Sequence, residues 1–431
     1  MTTRRSFLAR TIPAALTIPS LATSLHGQAS GGNANAGLPP AIAALKNRRA
    51  EATPITSEER EARIARAREL MVEKKISAIV MAGGTSLRYF TGVRWWNSER
   101  LMLLVLPAKG RPFAVCPAFE EERLHEQFSQ VPSVAETRLL TWQENENPYA
   151  QVAAGLQEAG LSRGTIGVEE TTAFAYVDGV SRALPHATLV SATPVVGGCR
   201  SIKSPMELRL MQLANNVTLQ VYEAAWRSAH SGMSTHEFSA LVAAGYQRVG
   251  FPGDASCETG KYSALPHGSI QPQVIEENAI VLIDDGCTVE GYQSDISRTF
   301  VYGKPSDKML RCFDLVKTAQ AKALLAARPG VACGAVDAAA RKVIFDGGFG
   351  PGYAHFSHRV GHGIGMDMHE WPYLVQGNML PLAAGMTFSD EPGIYIRDEF
   401  GIRLEDDMHI TPEGGKLFTG PSGSLTEPFA S

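Results

Sequence analysis

Residues 279–299 read AIVLIDDGCTVEGYQSDISRT, and the architecture of the C-terminal half turns on them. Ala279-Ile280-Val281-Leu282-Ile283 is a continuous apolar run of strand length that ends on Asp284, and a second carboxylate, Asp295, follows eleven residues later. A hairpin centred near Val289 and Glu290, with Gly291 absorbing an unusual backbone angle, sets the two carboxylates opposite each other, their Cβ atoms about 5 Å apart. Carboxylates that close on a buried strand repel each other unless a cation lies between them. Taken alone, the pair fits a turn aspartate beside a surface charge equally well.

The same arithmetic recurs at Glu391 and Glu405. They are fourteen residues apart, their midpoint is Asp398 in the polar turn Arg397-Asp398-Glu399-Phe400-Gly401, and the flanks Ile394-Tyr395-Ile396 and Ile402-Arg403-Leu404 look like strands. Two symmetrical pairs weaken the reading as a turn and a surface charge. Four of the eleven histidines fall within fifteen residues, at 355, 358, 362 and 369, around Val360-Gly361-His362-Gly363-Ile364-Gly365. A lone histidine is more often structural than a ligand, but this density beside three glycines, which let backbone and ligand approach closely, favours a site.

The glycines do not form a dinucleotide loop, because no strand-then-helix frame surrounds them. His369-Glu370-Trp371-Pro372 is no zincin helix either, since residue 373 is tyrosine and Pro372 breaks the helix that motif needs, and no G-x-S-x-G elbow occurs. Four carboxylates and one imidazole make an oxygen-rich donor set for two divalent ions, suited to manganese or cobalt and tolerant of zinc. Two such ions can share the hydroxide that hydrolyses an amide.

A domain opens upstream at Arg200-Ser201-Ile202-Lys203-Ser204-Pro205-Met206-Glu207, where Ser204 is a good N-cap, Pro205 suits the first helical position and Glu207 completes a capping box. A long helix follows and ends near Gly232, Ser234 and Glu237 cap another, and strands occupy 279–285 and 292–302. The order recurs as helices over 306–327 and 334–346, then strands around 386–396 and 401–411. Two helices and a hairpin, twice over, predict an internally duplicated α+β domain across 198–431, although the halves share negligible identity. Before it, Thr56 and Glu59 form a capping box ahead of a charged amphipathic helix. Residues 56–197 alternate strands at 76–82, 101–106, 112–116 and 165–168 with helical segments around 119–128 and 149–159, an α/β domain. Residues 30–55, opened by a stretch rich in Gly, Asn and Ala, read as a flexible leader.

At 431 residues the chain holds roughly two or three domains by length alone. Hydrophobic residues make up 44% and charged ones 19%, with net charge −4, which is the balance of a globular protein with no basic patch for nucleic acid. Arg4-Arg5-Ser6-Phe7-Leu8, the uncharged segment Thr11 to Leu25 and the small-x-small site Gly27-Gln28-Ala29 read together as a twin-arginine export signal over 1–29. The mature chain then starts near Ser30 and is periplasmic or secreted, with no stable membrane anchor, because no segment is apolar enough to span. The six cysteines show no paired spacing, and a chain exported already folded keeps them as free, buried thiols.

Ile283-Asp284-Asp285-Gly286, Ser294-Asp295-Ile296-Ser297-Arg298-Thr299, GHGIGMDMHEWP at 361–372, EPGIY at 391–395 and GIRLEDD at 401–407 together resemble the pita-bread metallopeptidases. That family includes aminopeptidase P, Xaa-Pro dipeptidase (prolidase) and methionine aminopeptidase. The resemblance spans 200–411 and implies a pseudo-twofold pita-bread catalytic domain with metal ligands Asp284, Asp295, His362, Glu391 and Glu405. Glu391 is then also the proton shuttle for the attacking water. Pro266-His267-Gly268 matches the family's upstream histidine, which contacts substrate or positions the leaving group. His358 and His369 match histidines that stabilise the tetrahedral intermediate and hold the substrate, and Arg403 and Tyr395 match groups that support the bridging carboxylates. Spacings of four and seven around His362 resemble the proline-specific branch more than methionine aminopeptidase.

Leu87-Arg88-Tyr89-Phe90-Thr91-Gly92, followed by Trp95 and Trp96, looks like the creatinase-type N-terminal domain. In relatives that domain mediates dimerisation and reaches into the neighbouring subunit's pocket, where the tryptophans could grip a proline ring, although core packing is the usual fate of such residues. The implied function is hydrolysis of the N-terminal Xaa-Pro bond of a proline-containing peptide by a homodimer with two manganese ions per site. Xaa-Pro dipeptidase is the first reading and Xaa-Pro aminopeptidase, acting on longer peptides, the alternative. Rivals are a non-peptidase C–N hydrolase on the same fold, such as creatinase, which lacks the ligands intact here, and a non-catalytic binding module, which usually loses them as well.

Overall fold

The computed structural model describes residues 37–430. The expected export signal, 1–29, and the first part of the leader lie outside the described residues. The later part of that leader is not flexible but packed. Pro40–Ala43 forms a helical turn that buries Ile42, Leu45 is buried beside it, and Arg48 N–H donates to the Val249 carbonyl at 2.9 Å. Arg248 Nη2 in turn donates to the carbonyls of Ala43 (2.9 Å) and Leu45 (3.2 Å). Two buried aliphatic side chains, each contributing about 1.5–3 kcal/mol, explain why composition alone misreads the segment.

Helix Ser57–Lys74 begins where Thr56 Oγ1 accepts the Glu59 N–H at 3.3 Å and ends at Lys75 in the left-handed region. Glu59 does not return the bond, so only half of the expected capping box forms. A six-stranded mixed sheet follows, in the order Arg138–Trp142, Phe113–Pro117, Leu103–Pro107, Ala78–Ala82, Thr165–Val168, Thr188–Ser191. Its central strands are buried on both faces, and Val80, Leu103, Val105, Val115, Val152, Leu156 and Ile166 share one core. The short helices Thr85–Thr91, Phe174–Ala183 and Thr193–Arg200 also belong to this N-terminal half.

In the C-terminal half, Ser204 opens helix Pro205–Ser228 and Ser234 opens Thr235–Val249, each with the reciprocal capping box the sequence predicts. A three-stranded sheet, Arg298–Val301, Ile280–Asp284 and Ser256–Thr259, accompanies this helix pair. The pattern then repeats: Ser306 caps Asp307–Ala326, Cys333–Ile344 follows, and both lie against a five-stranded sheet. Its order is Glu370–Leu374, Gly361–Gly363, Thr387–Asp390, Asp406–Thr411, Gly414–Leu417. Phe313, Val316, Val336, Val360, Phe388, Ile394, Leu404 and Met408 belong to the core of this second half. All six cysteines are free and buried. Among the described residues no helix is long and apolar enough to cross a membrane.

Candidate metal centre

Two hairpins and one short strand build the site. In the first hairpin Arg298 pairs with Ile283 and Tyr292 with Val289, which centres the turn on Glu290-Gly291 rather than Val289-Glu290. Both turn residues have positive φ, 52° and 96°, the two-residue turn whose twist suits a hairpin. The register is therefore one step away from the expected one: Ser297, not Asp295, falls opposite Asp284, and Asp295 lies diagonally on the same face. Ser297 uses that place. Its Oγ is 2.5 Å from Asp284 Oδ1 and 2.7 Å from Glu405 Oε2, and it accepts from Arg403 Nε at 2.7 Å.

The second hairpin keeps one register across two sheets. Asp390 pairs with Asp406 in one sheet and Gly393 with Arg403 in the other, the same pairing sum, with Asp398 at the tip as the spacing predicts. Glu391 and Glu405 sit at the crease between the two sheets, where each arm leaves strand geometry for two residues. His362 comes from Gly361–Gly363, a strand squeezed so closely that a Cβ on Gly361 would strike the Ser389 carbonyl and one on Gly363 the Glu370 carbonyl. Its partner strand, Glu370–Leu374, carries Pro372 at the sheet edge, where a missing N–H is tolerated.

Ligand atoms of Asp284, Asp295 and Glu405 all lie within 4.8 Å of one another, as do those of His362, Glu391 and Glu405. His362 Nδ1 donates to the Gly363 carbonyl (3.1 Å), leaving the Nε2 lone pair 3.6 Å from Asp295 Oδ2 and 3.4 Å from Glu391 Oε1. Burial pushes His362 down to about 3, with His369 adding to the effect, so the imidazole is neutral and able to bind metal. Burial, reinforced by the other carboxylates, raises Asp295 and Glu405 well above the usual range, and Glu391 rises to about 7. Asp284 moves the other way, because Arg403 and Ser297 outweigh its burial. Two buried and two half-buried carboxylates around one neutral imidazole fit a pair of divalent cations, which would neutralise them.

Of the remaining expected residues, His267, His358, His369 and Arg403 line the same cavity of about 390 Å³, and Tyr395 lies outside the lining, bonded to two of them. Arg403 bonds to Asp284, to Ser297, to the Pro266 carbonyl (2.9 Å) and to Tyr395 OH (3.0 Å). Tyr395 OH then donates to His358 Nε2 (2.7 Å), while His358 Nδ1 donates to the Arg359 carbonyl (2.8 Å). Both nitrogens of His358 are thus engaged within the protein. His369 is exposed and packs against His362 with the rings tilted and their centroids 3.9 Å apart, and His267 is exposed on the wall. His355 packs against Phe349 outside the lining (5.5 Å).

Neither tryptophan reaches this cavity: Trp95 lies beneath Arg123 and Trp96 is exposed. Ser297 gains its role, and Arg359 its place in the lining, only from the fold. Asp407, the last residue of GIRLEDD, accepts from Asp295 N–H (3.0 Å) and Asn215 (3.0 Å) and is pushed up by burial to about 8. These contacts link positions more than a hundred residues apart, and no local pattern announces them. A larger groove of about 770 Å³ along Asp307–Ala326 holds no histidine.

Comparison with known proteins agrees with this geometry. Residues 209–412 match the metallopeptidase family M24 and residues 63–202 the Creatinase/Prolidase N-terminal domain. The Xaa-Pro dipeptidase of Lactobacillus delbrueckii subsp. lactis is 30% identical over 361 residues, 82% of this chain and 95% of that one. The crystal structure of dipeptidase PepE from Mycobacterium ulcerans aligns with TM-score 0.80 at 31% identity, covering 87% of this chain and 99% of that one. A dipeptidase from Pyrococcus horikoshii aligns with TM-score 0.75 at 30% identity, covering 84% and 99%. The chain therefore belongs to the metallopeptidase family M24, in the form that carries a creatinase/prolidase domain ahead of the pita-bread domain.

Proposed function

We propose that the enzyme hydrolyses the peptide bond between an N-terminal residue and proline in dipeptides, with two divalent cations held by Asp284, Asp295, His362, Glu391 and Glu405. One observation carries the reading: a single cavity joins this donor set to His267, His369 and Arg403. The names of the relatives supply the direction toward proline. Bound cations supply Lewis-acid polarisation of the scissile carbonyl and acidify a water.

The chain's own side chains do the rest. Glu391 takes the proton of the attacking water and carries it to the proline nitrogen, which leaves as an amine and needs it. His369 and His267, the two exposed imidazoles on the wall, are the donors available to the carbonyl oxygen as it gains charge and to the leaving group. Arg403, Tyr395 and His358 act in series, holding Asp284 and the histidine segment in fixed relation. We extend the proposal to manganese as the native ion, to export by the twin-arginine route into the periplasm or medium, and to a homodimer formed through the N-terminal domain, where the exposed Trp96 is one contact.

Stripping the metal with a chelator should abolish cleavage of an Xaa-Pro dipeptide, and manganese should restore it. Glu391→Ala should be inactive; full activity of that variant would overturn the mechanism. Comparable turnover of an Xaa-Pro-Xaa tripeptide would replace dipeptidase by aminopeptidase.

A further inference from the structure

We propose that Arg359 is the anchor for the free C-terminal carboxylate of the dipeptide, and hence the residue that confines cleavage to peptides ending at proline. The proposal rests on the Xaa-Pro reading above and adds the substrate's length to it. Two arginines line the cavity. Arg403 is fully engaged with Asp284, Ser297, Tyr395 and the Pro266 carbonyl. Arg359 is half-buried on the same wall, and among the described residues its guanidinium makes neither an ion pair nor a hydrogen bond. What holds it is the face of Tyr373, 4.3 Å from the guanidinium carbon to the ring centroid. A guanidinium resting on an aromatic face keeps its edge N–H groups free, and that planar fork matches a carboxylate in two parallel bonds.

The backbone on either side of Arg359 is fixed. Arg341 donates to the carbonyls of Phe356 (2.9 Å) and His358, and it pairs with Asp337 at 2.6 Å. The other oxygen of Asp337 accepts the Val360 N–H at 3.0 Å. Arg359 therefore stands preorganised three residues before His362.

A dipeptide has one ammonium and one carboxylate. The acidic metal centre suits the first, and the second has Arg359 as the cation in the lining without a carboxylate partner among the described residues. A longer peptide would place an uncharged amide there and leave the guanidinium covered without an anion, so discrimination comes as a penalty on the wrong substrate.

The test compares alanyl-proline with its C-terminal amide on manganese-loaded wild type, R359Q and R359K. Wild type should favour the acid about ten- to a hundredfold in kcat/KM, as expected for a charge-assisted pair. R359Q should bring that ratio close to one, chiefly by raising KM for the acid, and R359K should recover part of it. Calorimetric titration with a non-cleavable dipeptide analogue and its amide reads the same preference without turnover. An R359Q protein that keeps the acid-over-amide preference, or loses both compounds alike, overturns the proposal. A wild type that cleaves neither compound yet binds the acid analogue through Arg359 would strike the Xaa-Pro reading and leave this one standing. A wild type that binds and cleaves neither overturns both.

Discussion

Glu370→Gln tests whether the loop carrying His369 is secured by buried charge. The Glu370 carboxylate accepts from Arg200 Nη2 (2.5 Å), Lys203 Nζ (3.0 Å), Met366 N–H (2.8 Å) and Asp367 N–H (3.0 Å), all away from solvent. Burial alone would raise its pKa, but Lys203 and Arg200 prevail and hold it down to about 2, against an ordinary value of 4.5. That gap of about 2.5 pH, at about 1.4 kcal/mol for each, makes the ionised form contribute about 3 kcal/mol to stability. Because the folded value is the lower one, the contribution is complete above about pH 4.5 and is lost as pH falls through about 2. Glutamine keeps the shape, removes the charge and leaves Lys203 buried without a carboxylate, a loss of the size seen when one partner of a buried pair is removed.

Urea unfolding of the metal-free proteins should therefore show the variant about 3 kcal/mol less stable at pH 7 and about half as far behind at pH 3. Carboxylates that change in the opposite sense are common to both proteins and cancel in the difference. A variant within 1 kcal/mol of wild type at pH 7, or a deficit that stays constant down to pH 3, refutes the reasoning.

Ser297→Ala takes away the hydroxyl between Asp284, Glu405 and Arg403, and metal affinity measured by chelator competition should fall about ten- to a hundredfold. Tyr395→Phe interrupts the series from Arg403 to His358. The kcat on an Xaa-Pro dipeptide should drop about tenfold, equivalent to about 1.4 kcal/mol in the transition state, with KM little changed, and an unaltered kcat counts against the series. Asp406→Asn leaves the buried Arg298 without its charge partner, 2.6 Å away, and should cost about 3–5 kcal/mol in denaturant unfolding. Manganese at a hundred times its Kd should raise unfolding free energy by about 2.7 kcal/mol over chelator-treated protein, and a melting temperature indifferent to chelator would contradict a cation among these carboxylates.

The sequence revealed most where structure is written locally. Ser204 with Glu207, and Ser234 with Glu237, cap their helices through residues three apart, so the caps can be read without the fold. Glu391 and Glu405 were paired correctly because the loop tip around Asp398 is symmetric about the turn. At the first hairpin the same arithmetic slipped, since the turn sits on Glu290-Gly291, one residue beyond Val289-Glu290, and that moves the partner of Asp284 two residues along, from Asp295 to Ser297. The strand Gly361–Gly363 has no strand propensity of its own and exists because Thr387–Asp390 and Glu370–Leu374 lie on either side of it. Arg359 is silent in the sequence for a related reason: its place is set by the face of Tyr373, fourteen residues away, and not by a charged neighbour.

The hairpin that holds Glu391 and Glu405 has a practical consequence for protein engineering. Its tip, Arg397-Asp398-Glu399, is exposed, and below it one register runs unbroken through both sheets. Residues added at the tip lengthen a loop and leave every pair beneath it in place, so a fluorophore tag or a short epitope grafted there should be accommodated with the active centre intact. One residue added to either arm, between Pro392 and Ile396 or between Gly401 and Leu404, would turn a glutamate away from the cavity. Two insertion sites a few residues apart thus differ between a labelled enzyme and an inactive one.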